Sequence, residues 1–215
     1  MGFSSLIDIL GSIIIGGLLF MILLRLTETA TQNTYEYSGE LTVQQNLVAT
    51  VQLIEYDFRK IGYCADIAQI DPVNSILAAD TSSITFVTDL ATSSNPMGDG
   101  TLDVLQYYVG PTTELSHTPN PRDRKFYRVE NGATPKSANL GITEFKILYF
   151  DALGDTLTCP VASPGEIQTM QINLKVENPA AYNKRYVYDA GRHESQYTSA
   201  FWRQIRLAAR NLKNR

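Results

Sequence analysis

The hydrophobic pattern changes twice along this chain. Phe3 to Leu24 is an almost unbroken apolar run, interrupted by Asp8 and by Gly11, Gly16 and Gly17. From Arg25 to Gly62 the residues turn polar, yet apolar positions still recur with a helical period. Leu47, Val51, Ile54, Phe58 and Ile61 are spaced 4, 3, 4 and 3 apart, one narrow stripe. Leu41, Val43 and Val48 widen it. No proline occurs before Pro72, and Gly62 follows Arg59 and Lys60 as a C-cap should. One continuous helix is therefore expected from Phe3 to Gly62, with its stripe packed on a following domain.

After Gly62 the period falls to two. Ser83 to Thr88 alternates as a strand, and Leu102 to Val109 follows the turn Gly98-Asp99-Gly100. Further strands are expected at 125–129, 144–150, 167–176 and 199–207, with turns at Glu130-Asn131-Gly132 and Asp151 to Gly154. Hairpin-length connections argue for an antiparallel sheet. The fold class is α+β, with one long helix covering one face of that sheet. The expected division is 1–26 for an apolar helix, 27–62 for its amphipathic continuation and 63–215 for a β-rich head.

The apolar run from Phe3 to Leu24 is 22 residues. At 1.5 Å per residue it reaches about 33 Å, matching a hydrocarbon core of about 30 Å. A cleaved secretory signal would show a basic start and a small-x-small site. Nothing basic precedes this run, and Arg25 to Ala30 reads as more helix, so the segment is expected to be retained. Gly16 and Gly17 each weaken a helix by about 1 kcal/mol. They either let another helix approach closely or mark a bend.

The chain has 18 Lys and Arg against 22 Asp and Glu, net -4. No basic patch indicates nucleic acid. The charge is uneven, however. From Trp202 onward the only charged residues are Arg203, Arg206, Arg210, Lys213 and Arg215. This basic strip would meet Glu28, Glu36 or Glu40 of a neighbouring molecule, or else be a solvated, frayed end. Cys64 and Cys159 belong to no metal-ligand pattern. In a non-cytoplasmic domain they would pair, closing a loop of about 95 residues; the alternative is two buried thiols.

Candidate chemistry is sparse. Asp89, Asp99 and Asp103 surround a glycine turn and would suit calcium, although Asp-Gly is also ordinary hairpin chemistry. His117 and His193 lie in polar loops without a nearby nucleophile or ligand. Trp202 beside Phe201 reads as a packing anchor. No catalytic constellation and no cofactor site is expected, so the chain does not read as an enzyme.

The opening Gly2-Phe3, followed by Ser4 to Leu10, resembles the signal of the type IV pilin and pseudopilin superfamily. Later segments resemble its PilW-type, large minor-pilin branch: Leu53 to Tyr63, Gly98 to Asp103 with Tyr107-Tyr108, Phe126-Tyr127-Arg128, Gly141 to Phe145, Tyr149-Phe150-Asp151 and Ala209 to Leu212. The resemblance implies a subunit stored in the inner membrane with its N-terminus inside. A prepilin peptidase would cut after Gly2 and methylate Phe3. A cytoplasmic ATPase and a platform protein would draw the subunit into an extracellular filament of identical or homologous pilin subunits. The family's acid near the mature start is matched by Asp8, one place later than usual, where it would pair with a neighbour's α-amino group. Gly11, Gly16 and Gly17 are the other expected assembly positions. The competing reading is a membrane-anchored periplasmic or surface binding module that never polymerises.

Overall fold

The computed structural model describes residues 3–179 and 200–208. Among the described residues one α-helix, α1, runs Phe3–Arg59. Eight strands follow: β1 (Ile76–Ala79), β2 (Ser83–Thr88), β3 (Asp103–Val109), β4 (Arg124–Glu130), β5 (Lys136–Phe150), β6 (Thr156–Leu157), β7 (Thr169–Glu177) and β8 (Ala200–Leu207). All pairings are antiparallel, in the order β1-β2-β3-β4-β5-β7-β8, with β6 on β5. This is the α+β arrangement of a long N-terminal helix and an antiparallel sheet that the two periodicities predict. The chain divides into two compact units, Met1–Leu41 and Thr42–Arg215.

In the second unit, the helix stripe meets the inward face of the sheet. Val43, Leu47, Val51, Ile54, Phe58 and Ile61 are buried, in one core with Ile84, Phe86, Leu105, Tyr107, Phe126, Phe145, Ile147 and Ile172. Phe58 sits between two strands: its ring lies 5.5 Å from Phe86 and 5.5 Å from Tyr107, both edge-on. Tyr107 stacks on Phe126 at 5.4 Å, and Phe126 meets Phe145 at 5.2 Å. Aromatic edges meeting aromatic faces add directional attraction to plain burial. Leu41 and Val48 do not widen the buried stripe. They are 56% and 52% exposed, because the sheet covers a narrower arc of the helix.

The helix ends at Arg59, three residues before the predicted cap. Its last turn tightens, with Lys60, Ile61 and Tyr63 amides donating to the carbonyls three residues back. The Gly62 amide then donates to Val87 O at 2.8 Å, which joins the helix end to β2. β5 begins earlier than the alternation suggests. Residues 136–138 pair with β4, the strand is irregular beside Arg124, and residues 142–150 pair with β7. Gly141 lies at this irregularity with φ +72°, and a Cβ there would fall on the carbonyl of Glu177. Any other residue would be strained and crowded at that position.

Truncation of Phe58 should therefore be expensive. Phe58→Ala is expected to lower unfolding free energy by about 3–5 kcal/mol. Val48→Ala, on the exposed side, should change it by less than about 0.5 kcal/mol. Urea unfolding of the two variants measures the difference.

Candidate assembly surface and the anchored head

The first unit presents the most unusual surface. Between Ile7 and Leu26 every large apolar side chain is 54% to 67% exposed. They ring the helix on all sides, so no face of this segment is polar enough to be content in water. The helix is long and apolar enough to cross a membrane. Gly11, Gly16 and Gly17 have no atom within 4 Å of where a Cβ would stand. Among the described residues, nothing requires glycine there. Asp8 is exposed, with the Ser12 hydroxyl donating to its backbone carbonyl. Among the described residues, no donor is placed on its carboxylate. Phe3 opens the helix, and Gly2 lies outside the described residues.

Polar side chains further along the helix are satisfied by the helix itself. Thr27, Thr29, Thr31 and Thr34 hydroxyls donate to the carbonyls of Leu23, Arg25, Thr27 and Ala30 at 2.8–2.9 Å. Such back-bonding removes the need for water at a hydroxyl.

The second unit buries several charges, and each fastens the helix or a loop to its neighbours. Asp57 is 2% exposed on the buried side of the helix. Its carboxylate accepts from the Tyr107 hydroxyl and from Arg128 Nε at 2.8 Å. Arg128 also pairs with Glu130, to which Lys136 Nζ donates at 3.1 Å. Burial and the facing Asp57 push the Tyr107 hydroxyl above the ordinary tyrosine range, so it remains a donor. Burial works against the Glu130 charge, but bonds from Lys136 and Arg128 outweigh it and hold its carboxyl below the usual range. Beside this network is a cleft of about 290 Å³, bordered by Tyr56, Lys60, Asp103 and Asn131 among others. Its charged walls are largely bonded to one another.

Asp89 is completely buried and carries the Gly98-Asp99-Gly100 turn. It accepts from the amides of Asp99 at 2.9 Å, Gly100 at 2.9 Å and Ala65 at 3.0 Å, and from the Cys64 thiol at 3.8 Å. Gly98 has φ +103°, and a Cβ there would fall on the Asp89 carboxylate. The three acids weighed for calcium against ordinary hairpin chemistry each accept from protein donors. Asp89 faces protein N–H groups, Asp99 takes the amide of Thr101, and Asp103 takes Leu90 N at 3.0 Å and Asn131 Nδ2 at 2.7 Å. These carboxylates organise a turn. His117 is exposed, and His193 lies outside the described residues.

The expected Cys64–Cys159 bridge is not made; both are free thiols. Cys64 lies beside Asp89, past the end of β2. Cys159 lies near its start: Val161 N donates to Ala79 O at 2.9 Å, next to Asp80. The length of β2 separates them, roughly 20 Å, whereas bridged Cα atoms must be within about 7 Å. Burial, helped by Asp89 and opposed by a bond from the Asp66 backbone, pushes the Cys64 thiol up and keeps it protonated.

A third charged anchor sits at the end of β7. Glu177 is buried and accepts from Arg122 Nη2 at 2.9 and 2.8 Å, from Lys175 Nζ at 3.2 Å and from Asn120 Nδ2 at 3.3 Å. It ties the 111–124 connection to the sheet. The sequence pattern misses these acids because periodicity marks apolar positions only. One signal was available: Asp57 stands between Ile54 and Phe58, on the side of the helix that must be dry.

No family model matches the chain, and no curated protein matches it. Among solved structures, it is similar to a type IV-like pilin from Thermus thermophilus. That match has a TM-score of 0.46 and 10% identity, and covers 79% of this chain and 97% of that one.

Two measurements follow from the charged anchors. Asp89→Ala strands three amides and is expected to destabilise the head by about 2–4 kcal/mol. Gly98→Ala should destabilise it in the same direction, and thermal melts report both. Glu130, whose folded carboxyl is held low, stabilises the head above its unfolded value near about 4.3. That contribution is lost as pH falls through the lower folded value. Urea midpoints measured across that acid range should drop, and Glu130→Gln should flatten the drop.

Proposed function

We propose that this chain is a structural subunit of an extracellular type IV pilus-like filament, polymerising through its N-terminal helix. One observation supports the reading above the others: an apolar surface on every side of the segment from Ile7 to Leu26. In water that surface is strongly unfavourable, at about 25 cal/mol per Å². Lipid covers it before assembly, and equivalent helices of other copies cover it afterwards. For the apolar side chains this exchange needs only shape, and the threonine hydroxyls are already satisfied by the helix.

Several residues then take roles. A prepilin peptidase cuts between Gly2 and Phe3 and methylates the new amino group. Asp8, a carboxylate among apolar side chains, pairs with that amino group on a neighbouring copy, since an unpaired charge there is costly. Gly11, Gly16 and Gly17 give the close approach that side chains would prevent. An assembly ATPase and a platform protein supply the work of extraction from the inner membrane. The subunit is structural, without catalytic residues or a cofactor. The PilW-type motifs favour a minor subunit of the filament.

Electron microscopy of material sheared from the cell surface tests the proposal. Helical fibres containing this chain are expected, and Asp8→Leu should lower their yield about tenfold or more, as loss of a buried pairing implies. Intact mass should show loss of Met1-Gly2 and addition of one methyl group. Recovery of the chain solely as membrane-bound monomer contradicts the proposal and favours the anchored, non-polymerising module.

A further inference from the structure

We propose that the apolar surface around Ile67 and Met97 is the seat for residues 209–215 of a second copy of this chain. The inference rests on the filament reading insofar as assembly brings copies together. Ile67 is 82% exposed, Met97 70% and Val73 59%. These side chains stand on held backbone. Asp89 bonds Ala65 on one loop and Asp99 and Gly100 on the other. The Tyr63 hydroxyl donates to Met97 O at 3.2 Å. Their exposure is therefore built into the two loops, which Asp89 holds side by side, and exposed apolar side chains on held backbone suit a partner.

Charge identifies that partner. Residues 61–121 contain no Lys or Arg, and Asp66, Asp71 and Asp99 flank the apolar side chains. Residues 203–215 contain five Lys and Arg and no acid. Within 209–215, Leu212 stands between Arg210 and Lys213, with Arg215 beyond. One apolar side chain set among cations complements an apolar seat set among carboxylates. The nearest bases of the seat's own copy are occupied. Lys60 lies over the Tyr56 ring at 4.3 Å, and Arg59 pairs with Glu55 at 3.7 Å.

The geometry points to a different copy. β8 ends at Leu207, opposite Met170, which is opposite Tyr149. The Tyr149 hydroxyl donates to the carbonyls of Asp80 and Ser83 at the start of β2. The seat lies past the other end of β2, about 20 Å away. β8 of the seat's own copy thus ends at the far end of the sheet from that seat. Seat to segment is a contact between unlike patches, which propagates along a polymer wherever the rotation between copies does not close.

Mixed-isotope cross-linking tests this. Full-length chain is made in 14N and 15N forms, with a photoactivatable side chain at the position of Ile67 or, separately, Met97. The two forms are mixed before assembly. Cross-links joining those positions to residues 209–215 of the other isotope are expected. Arg210→Gln, Lys213→Gln and Arg215→Gln together should lower their yield about fivefold or more. Single-isotope links, links only to other segments, or a yield unchanged in the triple variant would overturn the inference. Normal filaments without links to 209–215 overturn it and leave the filament reading standing. If filaments are absent, the filament reading fails. The same isotope readout on concentrated, detergent-extracted chain then decides, with mixed links to 209–215 supporting the inference and their absence overturning it.

Discussion

The constraint that governs this chain is where its apolar surface goes. One helix solves the problem in two ways. From Val43 to Ile61 the apolar residues form a stripe, and the chain's own sheet covers it. From Ile7 to Leu26 they surround the helix, and among the described residues nothing covers them. A stripe can be buried by one sheet, whereas a surface apolar on all sides needs either lipid or several neighbouring helices. The first solution makes the head a folded domain. The second makes the chain dependent on something outside itself.

Within the head, the expensive groups are used sparingly and each is fully committed. Asp57 fastens α1 to β3 and β4 through Tyr107 and Arg128. Asp89 gathers the loops that follow α1 and β2, and Glu177 clamps the approach to β4 onto β7. A buried carboxylate with several donors is a poor source of net stability but a strict judge of geometry, because removing any partner leaves a charge unmet. Such anchors allow long polar connections to hold a fixed course over the sheet.

Much of this was legible in the sequence. The 4-3-4-3 spacing located the buried helix face, and strict alternation located β2 and β3 to within a residue. Elements without alternation were missed or shortened. Ile76 to Ala79 is a short apolar run that fits a strand or a helix equally well. The start of β5, Lys136 to Gly141, has no apolar rhythm and contains a glycine. Leu41 and Val48 showed the limit of a period: it gives the direction of a face, while the width of the face depends on the sheet placed against it. The cysteine pairing failed for a related reason. Spacing in sequence says nothing of which end of β2 each thiol occupies. Glu177 was invisible, since an acid buried by its partners is written like an acid in water, whereas Asp57 was marked by its place on the dry side of the helix.

The surface of Ile7 to Leu26 exchanging lipid for its own kind is the claim on which function depends. A diazirine side chain placed at Leu18 in the full-length chain reports the neighbour of that surface directly. In material sheared from the cell, the account predicts adducts to the N-terminal helix of other copies. Adducts to phospholipid alone in that material, or its recovery without residues 3–26, would contradict it.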